Sequence, residues 1–350
     1  MCTAITYTTK DHYFGRNLDL QFSYNETVTI TPRNYIFNFR KMGALVNHYA
    51  IIGMAYVADD YPLYYDATNE KGLSIAGLNF PENADYKPYA EGKDNITPFE
   101  LIPWILGQCT TVTEAEALLK RINLLKENFS DKLPLSPLHW IIADKERSIT
   151  LESVKESIKI YANPIGVLTN NPTFEHQIFN LNNYIHLSNE QPQNNFGGKT
   201  HPLQLDLYSN GMGGLGLPGD TSSMSRFVKA SFVKLNSVSG DCEAESISQF
   251  FHILKSVEMQ NGIVAMDKEL YEKTIYSSCC NVDKGIYYYT TYENSQVCAV
   301  DMHKEDLDGS KLISYPLDRE MKIDFKNWIH KKALHFAEPF NKIMFSHPFK

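Results

Sequence analysis

The residue with the clearest capacity for chemistry is Cys2, which directly follows the first methionine. Methionine is normally removed when a small residue follows it, so we expect the mature chain to begin with this cysteine. One residue would then carry a thiol, whose thiolate is a nucleophile, and a free α-amine, which is a weak base near neutral pH. This is the arrangement of amine-activated Cys, Ser and Thr hydrolases. Because most cysteines at such a position have no catalytic role, the prediction requires an accessible sulfur and helper groups elsewhere in the chain.

A predicted hairpin would bring two charged helper groups to this cysteine. Residues 2–8 (CTAITYT) alternate polar and apolar side chains, residues 10–12 form a turn, and residues 13–20 return as a second strand. The return places Arg16 and Asp19 beside the start of the first strand. A guanidinium there would favour the thiolate, and a carboxylate would hold the α-ammonium in position. On spacing alone, a surface ion pair between the two residues is an equally good interpretation.

The rest of the chain consists of blocks of strands and blocks of helices. Apolar spacing and capping residues predict a strand at 27–32, helices from Thr97 to about Leu106 and from Thr113 onward, strands at 139–144, 148–153, 158–161 and 166–169, helices at 222–236 and 245–257, and a strand pair within 286–302. Residues 188–203 are predicted to form a long exposed loop. Such blocks indicate an α+β protein with two sheets faced by helices. No repeat or composition break divides the chain, so we expect one domain.

The composition is that of an ordinary globular chain, with 43% hydrophobic and 21% charged residues out of 350. The net charge of −8 argues against nucleic-acid binding, which needs a basic face. Neither a membrane span nor a secretory signal is visible. The six cysteines lack the spacing of a metal site or a disulfide framework. We therefore expect a cytoplasmic protein with reduced thiols, no metal and no cofactor.

Two short motifs match known signatures but lack the context that those signatures need. Residues 211–216 (GMGGLG) have the glycine spacing of a dinucleotide-binding loop, yet a Pro-Gly-Asp turn follows instead of a helix start. Residues 231–234 (SFVK) match the Ser-x-x-Lys of β-lactamases without its companion motifs. The histidines show no pair at metal-ligand spacing. A glycine loop and a serine packed on a helix are the better interpretations.

Short stretches distributed along the chain resemble the choloylglycine hydrolase family, a group of N-terminal-nucleophile enzymes that contains conjugated bile salt hydrolases and penicillin V acylases. They follow the family's order from residue 1 to about 320, and the bile salt hydrolases are the better match. The stretches are residues 1–4 (MCTA), 14–19 (FGRNLD), 69–73 (NEKGL), 76–80 (AGLNF), 166–172 (GVLTNNP), 217–220 (LPGD) with 225–227 (SRF), and 285–289 (GIYYY).

The resemblance implies a four-layer αββα sandwich and assigns six residues to the catalytic site: Cys2, Arg16, Asp19, Asn79, Asn170 and Arg226. Cys2 resembles the nucleophile, with the two residues of the hairpin as its partners and Arg226 as a further cation. Asn170 resembles the donor that stabilises an oxyanion through its side-chain amide, paired with the backbone N–H of Asn79. Without the resemblance, turn-forming asparagines would be the better interpretation of both.

The implied reaction is hydrolysis of glycine- or taurine-conjugated bile salts through an acyl-thioester on Cys2. Asn79 favours this substrate, because penicillin V acylases of the family often carry Tyr there. The alternatives are a penicillin V acylase with the same chemistry and a non-catalytic bile-acid-binding protein. Apolar positions resemble the lining of a broad steroid pocket, although packing in a strand-rich core explains them equally well: Leu18, Tyr24, Ala58, Tyr65, Phe129, Leu133 and Leu138.

Family members usually end near the position of Phe325, whereas this chain continues to residue 350. We predict a single catalytic domain over residues 1–325 and a C-terminal extension of unknown role over residues 326–350. Residues 325–336 place apolar side chains on one helical stripe with basic neighbours, which fits a membrane-surface or subunit-docking helix; a disordered or loosely packed extension is the favoured alternative. The resemblance also implies a homo-oligomer, with a tetramer expected. The preferred conjugate and steroid are left open.

Overall fold

Two antiparallel β-sheets form the centre of the structure, a computed structural model that describes residues 1–197, 203–267 and 269–327. The predicted stripe beyond residue 327 lies outside the described residues. In chain order the strands are β1 (Cys2–Thr8), β2 (His12–Leu20), β3 (Thr27–Thr31), β4 (Phe37–Phe39), β5 (Gly43–Leu45), β6 (Ile51–Ala58), β7 (Tyr61–Asn69), β8 (Ser74–Asn79), β9 (Asp94–Ile96), β10 (Ile122–Leu124), β11 (Leu138–Ala143), β12 (Ser148–Ser153), β13 (Ile158–Ala162), β14 (Val167–Leu168), β15 (Val264–Asp267), β16 (Leu270–Asn281), β17 (Ile286–Thr291), β18 (Cys298–Asp301) and β19 (Ile313–Pro316). The helices are α1 (Leu101–Leu106), α2 (Val112–Leu119), α3 (Phe174–Asn180), α4 (Ser223–Asn236) and α5 (Glu243–Lys255).

The two large sheets and the helices form four layers, as predicted. The first sheet has the order β14-β1-β2-β16-β17-β18, with β15 paired to β16, and the second has the order β13-β12-β11-β8-β7-β6-β3-β19. Helices α4 and α5 contact the first sheet, whereas α1 contacts the second. Contacts of β1 and β2 with β8 join the inner faces. The result is an αββα sandwich in which β1 and β2 lie in an inner layer.

Alternation along the strands divides the apolar side chains between two cores. In β11, Ile141 and Ala143 belong to the core shared by both sheets, α4 and α5. Trp140 and Ile142 belong to a second core between the second sheet and helices α1 and α2. Because successive side chains of a strand point to opposite faces, the strands β6, β8 and β11 each contribute to both cores. In β11, Ile141 and the residues two positions before and after it therefore face the first sheet.

Two β-bulges interrupt the pairing near the start of β1. The β6–β7 register runs from Met54 opposite Asp66 to Ala55 opposite Tyr64, which leaves Tyr65 as the extra residue. The β2–β16 register also shifts by one residue, at Ile275. A bulge leaves one residue unpaired and redirects its neighbours, and bulges are frequent beside active sites. These two bulges lie on the strands that flank the predicted site.

Most predicted elements are present, with boundaries shifted by one or two residues. The helix predicted from Thr113 begins at Val112, because Thr111 is the residue whose side chain accepts the capping hydrogen bond from the Glu114 N–H. Sequence patterns do not predict the strands β4 to β10, β15 and β19, or the long strand β16. Many polar side chains of β16 are buried, so its sequence lacks the expected alternation.

Candidate active site

Cys2 lies at the start of β1 and shares a sheet face with Arg16 and Leu18. In the β1–β2 hairpin, Cys2 is opposite Leu18 and Ala4 is opposite Arg16. Directly opposite residues, and residues two apart, project from the same face. Cys2 is 3% exposed while Met1 precedes it, so the expectation of an accessible sulfur is not met by the chain that carries Met1. The reason is its position between the two sheets.

Arg16 is held by carbonyl groups that the strand pairing leaves free. Its Nη1 donates to the carbonyl oxygens of Tyr65 at 3.0 Å and Gly77 at 2.5 Å. Tyr65 is the bulge residue of β7, and the pairing of β7 with β8 ends at Asp66 opposite Ala76. The carbonyls of Tyr65 and Gly77 therefore lie just beyond the hydrogen bonds that join β7 and β8. The Nη2 atom of Arg16 is buried without a hydrogen-bond partner. The bulge therefore fixes a guanidinium beside Cys2 and leaves one nitrogen available.

A buried carboxylate, Asp66, compensates the charge of Arg16. Burial opposes the charge of Arg16, yet Cys2, Tyr276 and Asp66 outweigh this effect, so the pKa of Arg16 is raised. Asp66 accepts hydrogen bonds from the Tyr276 hydroxyl at 2.7 Å, the Tyr287 hydroxyl at 2.6 Å and the Ser278 hydroxyl at 3.2 Å. Burial raises the pKa of Asp66, and Arg16 together with these hydroxyls acts in the opposite direction. Local sequence patterns do not predict this network, because Tyr276 and Asp66 are 210 residues apart in the chain.

Asp19 follows Leu18, the residue opposite Cys2 in the hairpin, so its side chain projects from the other face of the sheet. It lies opposite Thr274, whose hydroxyl donates to its Oδ1 at 2.7 Å. Its Oδ2 atom is buried without a hydrogen-bond partner. The Asp19 N–H donates to the Met1 carbonyl at 2.9 Å, and the Met1 amine donates to the Asp19 carbonyl at 2.8 Å. Asp19 thus contacts the chain terminus through its backbone, and its carboxylate keeps one free oxygen.

Asn170 and Arg226 contact the backbone of Cys2 from the edge of the first sheet. Asn170 follows β14, which pairs with β1, and its Oδ1 accepts from the Cys2 N–H at 2.8 Å. Arg226 in α4 donates from Nη1 to the Cys2 carbonyl at 2.5 Å and to Thr3 Oγ1 at 2.7 Å. Its Nη2 donates to Asn170 Oδ1 at 2.7 Å. Burial lowers the pKa of Arg226, whereas Asp19 and Cys2 oppose that shift.

Asn79 meets Asn170 through its backbone. The Asn170 Nδ2 donates to the Asn79 carbonyl at 2.7 Å, so one of its two amide hydrogens is already used. Phe80 N donates to the Pro137 carbonyl at 2.8 Å, which makes Asn79 and Leu138 a pair without mutual hydrogen bonds. The N–H and carbonyl of Asn79 therefore both point away from β11, and that carbonyl is bonded to Asn170. The backbone N–H predicted as an oxyanion donor is directed to the same side.

The amine of Met1 forms an ion pair with Glu272, a residue that the sequence reasoning missed. Glu272 is 5% exposed and its Oε2 has no hydrogen-bond partner. Loss of Met1 would remove this ion pair and leave a carboxylate facing the new terminus. The Cys2 nitrogen, which then becomes the α-amine, lies 2.8 Å from Asn170 Oδ1. Asn170 Oδ1 is thus already in place as an acceptor for that nitrogen, and Glu272 contacts the amine of the preceding residue.

The predicted pocket positions fall into two groups. Leu18 and Leu138 are opposite Cys2 and Asn79 respectively, and Tyr65 is the bulge residue that binds Arg16. The others lie further out: Tyr24, which is 43% exposed, Ala58 at the end of β6, and Phe129 and Leu133 in the loop before β11. The Tyr24 ring is 6.4 Å from the Tyr56 ring, and the Phe129 ring is 5.9 Å from the Tyr61 ring. Tyr24 and Phe129 therefore both pack near aromatic residues of the β6–β7 hairpin, which also carries Ala58.

Other features of the described residues lie away from this site. A cavity of about 380 Å³ at the turn end of the β1–β2 hairpin is lined by Thr6, His12, Lys234 and their neighbours, and by none of the predicted site residues. Among residues 1–197, 203–267 and 269–327, no group of three or more His, Cys, Asp and Glu side chains could hold a metal ion. No helix in these ranges is long and apolar enough to cross a membrane. All six cysteines are free thiols.

Comparison of the sequence and the structure with known proteins identifies the family of this chain. Residues 2–315 match the choloylglycine hydrolase family of linear amide C–N hydrolases. A bile salt hydrolase/transferase from Lactiplantibacillus plantarum is 62% identical over 320 residues, 91% of this chain and 98% of that protein. A crystal structure of a mutant conjugated bile acid hydrolase from Clostridium perfringens gives a TM-score of 0.85 at 37% identity, covering 93% of this chain and 100% of that one. Penicillin V acylase from Agrobacterium tumefaciens gives a TM-score of 0.70 at 20% identity, over 89% of this chain and 90% of that one, a likeness in fold alone.

The αββα sandwich with a cysteine at the start of an inner strand defines an N-terminal-nucleophile hydrolase. With its family match and its relatives, the chain belongs to the choloylglycine hydrolase family of linear amide C–N hydrolases. The predicted fold and enzyme class are confirmed. The roles assigned to individual site residues stay predictions, which the geometry above makes testable.

Proposed function

We propose that this protein hydrolyses the amide bond of glycine- or taurine-conjugated bile salts. The observation that carries the proposal is the set of hydrogen bonds joining Asn170 and Arg226 to the backbone of Cys2. These bonds place an amide group and a cation beside the only residue that carries both a thiol and the prospective terminal amine. The substrate class is supported by the relative that is 62% identical over 91% of this chain and is named a bile salt hydrolase/transferase.

Acylation begins once Met1 is removed and Cys2 carries the free amine. The α-amine takes the thiol proton, and Sγ attacks the amide carbonyl carbon, so an S–C bond forms and the carbonyl oxygen becomes an oxyanion. The Asn79 N–H and the second amide hydrogen of Asn170 are the proposed donors to that oxyanion. The intermediate collapses with cleavage of the C–N bond. The leaving nitrogen takes the proton from the α-ammonium, which releases glycine or taurine.

Deacylation uses the same groups with water in place of the amine. The α-amine accepts a proton from water as the water oxygen attacks the thioester carbonyl, and the S–C bond then breaks. The products are the free bile acid and the regenerated Cys2. Arg16, charged and with Nη2 unpaired, stabilises the thiolate at both stages, because its positive charge lies on the same sheet face.

Asn79 supports the choice of bile salts over penicillin V. Its side chain is exposed at the end of β8, while its backbone serves the proposed oxyanion site. An amide there leaves the cleft wider than a tyrosine would. The outer aromatic residues Phe22 and Tyr24 are 51% and 43% exposed with ring centroids 5.1 Å apart, which provides an apolar surface for a steroid.

The test is release of glycine from glycocholate by the purified protein, compared with loss of the side chain from penicillin V. We expect faster turnover of glycocholate, no hydrolysis by Cys2→Ser, and a mature mass that lacks Met1. Faster penicillin turnover would favour the acylase. A wild-type protein that binds glycocholate without turnover would favour the non-catalytic binding protein, and intact Met1 in an active enzyme would exclude the terminal amine as the base.

We also propose that residues 1–325 form one catalytic domain, that residues 326–350 are dispensable for catalysis, and that the protein is a cytoplasmic homotetramer. The family match over residues 2–315 supports the domain boundary. Truncation after residue 324 should leave kcat and the oligomer size from light scattering unchanged. A smaller oligomer after truncation would instead assign a docking role to the extension.

A further inference from the structure

We propose that His139 and Glu152 are positioning residues that hold the two segments carrying the oxyanion donors. This inference rests on the proposed function, because it assigns the donor roles to Asn79 and Asn170. The pair lies behind the site, between the two sheets, and none of its side-chain atoms contacts Cys2 through a hydrogen bond. Its effect on catalysis would therefore pass through the backbone that it supports.

His139 lies on β11 with both ring nitrogens engaged. It is fully buried, and its Nε2 lies 2.9 Å from the Thr169 carbonyl. Because a carbonyl only accepts, Nε2 carries the hydrogen. The imidazole plane lies parallel to the Phe80 ring, with 4.1 Å between centroids and 4° between planes. One side chain thus contacts the residue before Asn170 and the residue after Asn79.

Glu152 on β12 fixes the imidazole from behind. Its Oε1 lies 3.1 Å from His139 Nδ1 and accepts the Phe174 N–H at 2.8 Å. Phe174 begins α3, directly after the turn that contains Asn170. Glu152 therefore links the imidazole to the far end of the Asn170 segment.

Stability does not account for this arrangement. The side chains of His139 and Glu152 are both fully buried, and Glu152 Oε2 has no hydrogen-bond partner. Apolar residues of similar volume at buried ion-pair positions are often equally stable or more stable. The neighbours Ile141 and Ala143, which share the inner face of β11, are apolar. A polar pair that bonds the backbone on either side of Asn170 and stacks on the ring of Phe80, the residue after Asn79, fits a role in fixing the distance between the two segments.

The test separates the two ring contacts. In His139→Gln the amide nitrogen takes the place of Nε2 and keeps the Thr169 bond, whereas in His139→Asn it takes the place of Nδ1 and loses that bond. We expect His139→Asn to lower kcat on glycocholate by about 10- to 100-fold with KM changed by less than about threefold, since small displacements of donors act on the transition state. His139→Gln should retain most of kcat. The alkylation rate of Cys2 by iodoacetamide should be unchanged in both.

His48 provides a matched control. It is also buried, and its ring nitrogens lie 2.7 Å from the carbonyls of Tyr49 and Tyr35, away from the site. His48→Asn should leave kcat within about twofold of the wild-type value when the protein is folded. In a double variant, His139→Asn with Asn170→Ala, the added loss of kcat should be smaller than the loss that His139→Asn causes alone, because part of the effect of His139 passes through Asn170.

Equal kcat for the Asn and Gln variants, a change in KM alone, or additive losses in the double variant would overturn the proposal. If His139→Asn does not fold, Glu152→Gln, which has the same shape, replaces it: a fall in kcat without a change in KM supports the inference, and an unchanged kcat overturns it. An inactive wild type would instead overturn the proposed function on which this inference depends, and an Asn170→Ala variant with normal kcat would overturn the donor role that it assigns to Asn170.

Discussion

Replacement of Asn170 with aspartate would change one group in the site and keep its shape. The Oδ1 atom would still accept hydrogen bonds from the Cys2 nitrogen and from Arg226 Nη2, which lie 2.8 Å and 2.7 Å from it in the structure with Asn170. The Nδ2 group, which donates to the Asn79 carbonyl at 2.7 Å, would become an oxygen. The variant therefore removes the proposed donor to the oxyanion and also sets an oxygen against the Asn79 carbonyl.

The expected loss is larger in kcat than in stability. Removal of one oxyanion donor typically lowers kcat by ~10²–10³-fold, or about 2.7–4 kcal/mol. A negative charge ~4 Å from the developing oxyanion adds a repulsion of up to about 4 kcal/mol at an effective dielectric constant of ~20. Arg226 contacts the same side chain and reduces this repulsion. Asn170→Asp should therefore be slower than Asn170→Ala, while the lost hydrogen bond costs about 1 kcal/mol of folding free energy.

Steady-state release of glycine from glycocholate, with thermal unfolding as the control for folding, measures both effects. The rate order should be wild type, then Asn170→Ala, then Asn170→Asp. If Asn170→Asp kept kcat within about threefold of the wild-type value, the amide would not be an oxyanion donor, and the reasoning from its hydrogen bonds would be refuted.

Two further predictions concern specificity and pH. Asn79→Tyr should lower kcat/KM for glycocholate by about 10-fold more than for penicillin V, because the phenol narrows the cleft while the backbone N–H is kept; an unchanged ratio in kinetics on both substrates would contradict this. Burial lowers the pKa of His12 from 6.5 to about 4. The unfolded chain therefore takes up this proton at a higher pH than the folded chain, and urea denaturation should show about 3 kcal/mol of stability lost between pH 6.5 and pH 4. His12→Asn should reduce that slope, and an equal slope in both proteins would show that His12 is not its source.

The hairpin at the start of the chain was predictable because it depends on local patterns. Alternation in residues 2–8 and 13–20 determines which residues are opposite each other, and the structure pairs Ala4 with Arg16 as such a hairpin requires. The helices α4 and α5 also have apolar stripes at helical spacing. The two helices bury one face only, which is the condition under which periodicity is informative, whereas β1 and β2 are buried on both faces and were predictable from their alternation of polar and apolar residues and the turn between them.

The groups that complete the site were not predictable from local patterns. Strand β16 contributes Tyr276 and Ser278 to Asp66 and Thr274 to Asp19, and these buried polar side chains break the alternation that would reveal a strand. The bulge at Tyr65 lies in the β6–β7 hairpin, neither strand of which was predicted. Sequence reasoning is weakest where polar residues are buried to serve a site.

The hydrogen bonds of Arg226 have a consequence for how activity relates to folding. Arg226 Nη1 reaches the Cys2 carbonyl across 224 positions of sequence, and Asn170 reaches Cys2 across 168. No continuous fragment shorter than most of the chain contains the nucleophile together with both of its backbone partners. Turnover is therefore an all-or-none property of the assembled sandwich, so a denaturation curve followed by enzyme rate should coincide with one followed by tyrosine and tryptophan fluorescence.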